Sequence, residues 1–152
     1  MNNLYDVIIV GGGNAALCSA ISASDNGAKK VLLIDKASKK DTGGNSRYTT
    51  GSIRFCYKGF SDLKKLIPNL SNKNIDFGSY STSAYLADMQ RVTNGKTDPV
   101  LSKLLVNNSF ATVLWMKRKG IKFTPIYSRQ SDRKSTRLNS SHSQQSRMPS
   151  SA

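Results

Sequence analysis

A chain of 152 residues is long enough to fold as one ordinary domain with its own core. It is 38% hydrophobic and 21% charged, and its longest apolar run, Val7 to Val10, is far too short to cross a membrane. The formal charge of +14 raises the question of nucleic acid, but the lysines are scattered (Lys29, Lys36, Lys40, Lys58, Lys64), no nucleic-acid-binding motif accompanies them, and they read as a solvated surface.

Leu4 to Val10 is short, continuous and rich in Ile and Val, the pattern of a parallel strand covered on both faces. Asp6 falls where the apolar stretch of a secretion signal would run, so a cytoplasmic location is expected. Gly11, Gly12 and Gly13 break the strand. Asn14 to about Asn26 reads as a helix of small residues with Leu17 and Ile21 on one face, and Gly27 suits its C-terminal cap. Val31 to Asp35 is a second apolar strand, which completes a βαβ crossover. Lys36 to Asp41 is a polar loop leading into Gly43-Gly44-Asn45-Ser46.

A mostly helical continuation follows. Ser61 to Leu66 reads as a short helix ended by Pro68, and Ser81 to Thr93 as another, stopped by Asn94-Gly95. Asp98 at N-cap and Pro99 at N1 open a longer helix carrying Leu101, Leu104, Leu105, Ala111, Leu114 and Trp115. It finishes in Lys117-Arg118-Lys119, favourable for the helix dipole, with Gly120 as cap, and a strand begins at Ile121 to Phe123. Cys18 and Cys56 have no metal or redox spacing and read as reduced, mostly buried thiols.

Residues 131–152 differ in kind: rich in serine and almost without apolar residues, they cannot offset their own ordering entropy and are expected to be disordered. Their sequence also resembles a translated sequencing adapter. One frame of a common short-read library adapter encodes Asp132 to His142 in order, and the same frame resumes at Ser146 to Ala152. The expected division is therefore a truncated N-terminal part over 1–130 and an adapter-derived tail over 131–152. Without that tail the chain carries 19 basic and 8 acidic residues, a formal charge of +11, and no histidine.

The strongest motif is Gly11-Gly12-Gly13-Asn14-Ala15-Ala16, a GxGxxA form of the dinucleotide fingerprint. Gly11 permits the tight turn, Gly13 lets a pyrophosphate approach the backbone, and Ala16 is small enough for close helix–strand packing. The pyrophosphate would rest on free N–H groups at the helix start. A bare glycine turn is the competing explanation, which the surrounding strand–turn–helix–strand pattern disfavours. Asp35, just over twenty residues after the first glycine, would accept hydrogen bonds from the adenosine ribose and oppose a 2′-phosphate. In Gly43-Gly44-Asn45-Ser46, two glycines allow a backbone to pass close to a planar ligand, and Asn and Ser supply hydrogen bonds; by itself that stretch is only a turn.

Together the two glycine motifs resemble those of the fumarate reductase, succinate dehydrogenase and ketosteroid dehydrogenase flavoproteins. Gly-Gly-Gly-Asn-Ala-Ala-Leu-Cys at 11–18, Gly-Gly-Asn-Ser at 43–46, Thr49, Arg54 and Trp115-Met116 look most like the tricarballylate dehydrogenase subgroup. The resemblance implies an incomplete Rossmann-like α/β FAD-binding domain. Gly11 to Ala16, with Asp35 and Lys36, would hold the ADP moiety, and Gly43 to Ser46 would run beside the diphosphate and flavin. Asp35 stands where the family usually has Glu. It further implies non-covalent FAD, a polycarboxylate substrate for the longer parent protein, an unidentified electron acceptor, and catalytic residues beyond this chain, so that the chain alone is expected to be inactive. Arg54 reads as a surface arginine before a substrate contact, and Trp115 as core before a stacking platform. Two rivals stay open: an NAD-binding Rossmann module, and a basic nucleic-acid-binding protein that happens to contain a glycine turn.

Overall fold

The computed structural model describes residues 4–49, 51–71 and 76–125, and the backbone of 144–147. The chain divides into two compact units, Met1–Thr50 and Gly51–Ala152.

The first unit is a βαβ unit. Strand β1 (Val7–Val10) and strand β2 (Val31–Ile34) pair in parallel, Val7 opposite Val31 and Val10 opposite Ile34. Helix α1 (Asn14–Asp25) connects them and packs on both. Its end is closed as the sequence predicts: Gly27 has φ +96°, the Ala28 N–H donates to the Ala23 carbonyl and the Gly27 N–H to that of Ser24. The Asp6 carboxylate accepts from the N–H groups of Lys29 and Lys30, pinning the entry of β2 beside that of β1. One expectation is corrected here. The strands are not covered on both faces: burial alternates along β1, and Ile8 and Val10 are 57% and 80% exposed. One helix supplies one layer, so within this unit the other face has no cover. Leu17 and Ile21 are likewise exposed, whereas Ala16 is buried, because close helix–strand approach selects the small face of α1.

The second unit is mainly helical. It contains β3 (Ser52–Ile53), α2 (Phe60–Leu66), α3 (Thr82–Val92), α4 (Pro99–Arg118) and β4 (Lys122–Pro125). The Ser81 hydroxyl caps α3 by accepting from the Ala84 N–H, and Asp98 caps α4 by accepting from those of Val100 and Leu101. Helix α4 ends with the Ile121 N–H on the Met116 carbonyl and the Gly120 N–H on that of Lys117, the same closure as α1. The core joins Phe55, Tyr57, Leu63, Leu66 and Phe77 to Val113 and Phe123. Burying Leu63 and Val113 is worth about 1.5–3 kcal/mol each before the loss of chain entropy. Helix α4 turns Ser102, Val106, Ser109 and Val113 inward and leaves Leu101, Leu104 and Leu105 exposed. Trp115 is half-buried, and Cys18 and Cys56 are free and half-buried.

Within the tail, Gln144–Arg147 run as β5 between β3 and β4 in an antiparallel sheet. Ladder bonds require only backbone N–H and C=O groups, which polar residues carry as well as apolar ones. The rest of 131–152 lies outside the described residues.

Candidate functional site

The site expected from the sequence lies wholly within the first unit. Strand β1 runs into Gly11, whose N–H donates to the Ile34 carbonyl at 2.7 Å and whose φ of +123° favours glycine. A Cβ on Gly11 would sit 3.9 Å from the Ala16 Cβ, so the smallness of Ala16 is what lets α1 approach the strand end. Gly13 is the N-cap of α1 and has no side chain to satisfy the first amides. The intrahelical ladder starts with the Leu17 N–H on the Gly13 carbonyl, so the amides of Asn14, Ala15 and Ala16 precede it.

Asn14 N–H finds its acceptor 32 residues away, in the Ser46 hydroxyl at 3.0 Å. This joins the two glycine motifs. Gly43 has φ +111°, and Gly44–Tyr48 form a 3-10 turn that delivers Ser46 to the helix start. A Cβ on Gly13 would come within 3.4 Å of the Gly43 carbonyl oxygen and 3.5 Å of the Ser46 hydroxyl. Bare backbone, a helix N-terminus and a hydroxyl thus converge on one spot, the donor set that suits a phosphate oxygen.

Asp35, half-buried, follows directly on β2. Its Oδ2 accepts from the Thr42 hydroxyl at 2.7 Å and its Oδ1 from the Ala37 N–H at 3.2 Å. The Thr42 hydrogen bond first, and the Ala37 amide second, hold the carboxyl below its ordinary value of 3.8. The pair lies against the turn: a Cβ on Gly12 would fall 2.3 Å from Asp35 Oδ2 and 2.4 Å from Thr42 Oγ1. Sequence reasoning gave Gly12 no separate task and missed Thr42; both follow from a contact across the loop that no local pattern encodes. Lys36, Asn14, Ala15, Gly44 and Asn45 are exposed. The cradle fits the ADP half of a dinucleotide, since it offers amides for phosphate and an ionised acceptor for a sugar hydroxyl.

In the second unit, Arg54 is a part-exposed arginine with partners. Its Nη1 donates to Asp88 Oδ2 at 3.2 Å and to the Tyr80 hydroxyl at 3.3 Å, and Tyr80 itself donates to Asp88 at 2.7 Å. Arg91 reaches the other Asp88 oxygen. Burial, then the bond to Asp88, raise the Tyr80 hydroxyl well above its ordinary range. Burial also pushes Asp88 upward, but the bonds from Tyr80 and Arg91 and the charge of Arg54 outweigh it, and its carboxyl lies below 3.8. The cluster ties α3 to the segment after β3. Among the described residues no group of His, Cys, Asp and Glu could hold a metal ion, and no helix is long and apolar enough to cross a membrane.

Residues 6–151 match the FAD binding domain family. Over 125 residues, 82% of the chain, the sequence is 31% identical to a fumarate reductase (cytochrome) of Shewanella frigidimarina, of which it covers 19%. A vinyl phenol reductase of Lactiplantibacillus plantarum is 25% identical over 124 residues, 80% of this chain and 22% of that protein. An NADH:fumarate oxidoreductase of Klebsiella pneumoniae is 26% identical over 122 residues, 80% of this chain and 12% of that protein. No solved structure matches. The chain therefore spans about a fifth or less of the length of these relatives, and by the match over nearly all its residues it belongs to the FAD binding domain family.

Proposed function

We propose that this chain binds FAD non-covalently through its ADP half and forms the N-terminal part of a flavin-dependent oxidoreductase acting on a polycarboxylate. The observation that carries the reading is the convergence of the Gly11–Ala16 turn, the Ser46 hydroxyl and the Asp35 carboxylate at the carboxyl ends of the two parallel strands. The amides at the start of α1 would receive the diphosphate, Asp35 the adenosine ribose, and the Gly43–Ser46 backbone would pass beside the diphosphate and flavin. Bound flavin supplies hydride transfer at N5, to or from a substrate carbon held against it. What the chain itself contributes is binding and orientation. No residue here is assigned to proton transfer.

Two of the relatives are named for fumarate, which supports a dicarboxylate substrate. The Asn-Ala-Ala-Leu-Cys and Trp-Met patches support the tricarballylate subgroup. Because the chain covers so little of its relatives, catalysis belongs in this reading to a longer protein, together with the electron acceptor. The test is a titration of FAD with the purified chain, followed by flavin fluorescence, then an assay with an electron acceptor and tricarballylate, succinate or fumarate. Saturable binding without turnover is the expected result. Stronger binding of NAD than of FAD would overturn the cofactor assignment, and turnover would overturn the division of labour.

A further inference from the structure

We propose that Thr42 is a positioning residue for ribose recognition: it fixes the Asp35 carboxylate over the middle glycine of the turn, in the orientation that accepts the adenosine 2′-hydroxyl. The inference rests on the FAD reading above and goes beyond it, since Thr42 belongs to neither glycine motif.

A free aspartate at the end of a strand has rotamers to lose before it can serve as an acceptor, and ordering it costs binding energy. Here the ordering is already in place. Thr42 holds Oδ2 at 2.7 Å, the Ala37 amide holds Oδ1 at 3.2 Å, and the missing Cβ of Gly12 leaves the room in which the Asp35 and Thr42 side chains meet. An ionised carboxylate offers about four acceptor positions. Thr42 occupies one on Oδ2 and Ala37 one on Oδ1, and the Gly43 and Lys36 amides also pull on the carboxylate, so a sugar hydroxyl would join an acceptor already held from several sides. The Thr42 bond also favours the ionised form, the stronger acceptor. Thr42 stands at the end of the loop Ser38 to Asp41, its own N–H bonded to the Ser38 carbonyl at 2.9 Å, so its hydroxyl is placed by a closed turn.

The experiment compares ADP with 2′-deoxy-ADP on the full chain by calorimetry. The native chain should bind ADP about tenfold or more tighter than 2′-deoxy-ADP. Thr42→Val should bring that ratio close to one, mainly by weakening ADP; Thr42→Ser should keep it; and Asp35→Asn should lose it. Thr42→Ala serves in place of the valine variant should that one not fold. A Thr42→Val or Thr42→Ala chain that keeps the native ratio, or that weakens both nucleotides equally, overturns the positioning role while leaving the FAD reading intact. A native chain that binds neither nucleotide overturns the reading itself, and this inference with it.

Discussion

At the scale of single residues, the most demanding position in the site is Gly12. Its neighbour Gly11 is explained by a positive φ, and Gly13, in the proposed reading, by the approach of a diphosphate, both of which a fingerprint motif conveys. Gly12 is required because two side chains occupy the space of its absent Cβ. Those side-chain ends can rotate away, so Gly12→Ala should leave the unit folded yet break the Asp35–Thr42 bond. Loss of a charge-assisted bond of that kind should weaken FAD binding about tenfold or more by fluorescence titration, with the circular dichroism spectrum unchanged. Gly27→Ala provides the contrast, since nothing lies within 4 Å there and only its φ of +96° resists a side chain.

At the scale of elements, the boundaries that rest on local chemistry were legible in the sequence. Asp98-Pro99, Gly27, Asn94-Gly95 and Gly120 mark ends of α1, α3 and α4 because caps and left-handed turns depend on the residues at those positions. Which face of a helix turns inward was not legible. The leucines of α4 look like core, yet Ser102, Val106, Ser109 and Val113 take that place: Val113 joins the cluster that holds Phe55 and Phe77, and the Ser109 hydroxyl accepts from the Cys56 N–H. Likewise the Asn14–Ser46 bond, across 32 residues, leaves no local trace except an N-cap glycine that cannot cap. Helix α2 shows how a non-local requirement can be met nearby. Asp62, in its first turn, accepts from the Lys58 N–H at 2.9 Å and from Lys65 at 2.8 Å. The Lys65 bond first, then the Lys58 amide, lower its carboxyl below 3.8, which favours the ionised, folded form. The stabilisation is therefore complete above pH 3.8 and is lost as pH falls through the lowered folded-state value. Asp62→Ala should cost about 1–2 kcal/mol in urea melts at pH 7 and much less in acid below that value.

At the scale of the whole molecule, ligand binding should act unevenly. All the proposed FAD contacts come from Met1–Thr50, while the larger aromatic core lies in Gly51–Ala152. Mass action stabilises what binds: at a hundredfold excess over Kd the gain is about 2.7 kcal/mol. Hydrogen exchange with saturating FAD should therefore slow amides of β1, α1, β2 and the 3-10 turn, and leave those of α3 and α4 nearly unchanged. Equal protection in both units would show that the two open together or that the ligand also contacts the second.

The bare sheet of the first unit carries a practical consequence. Among the described residues this sheet has two strands, each with one side lacking a ladder partner in it, and Ile8, Val10 and Ile34 are exposed. Short β-rich segments of this kind zip onto one another edge to edge. Expressed by itself, the chain should cluster as its concentration rises, and dilute preparations, or ones with a lysine placed at Val10, should stay dispersed longest.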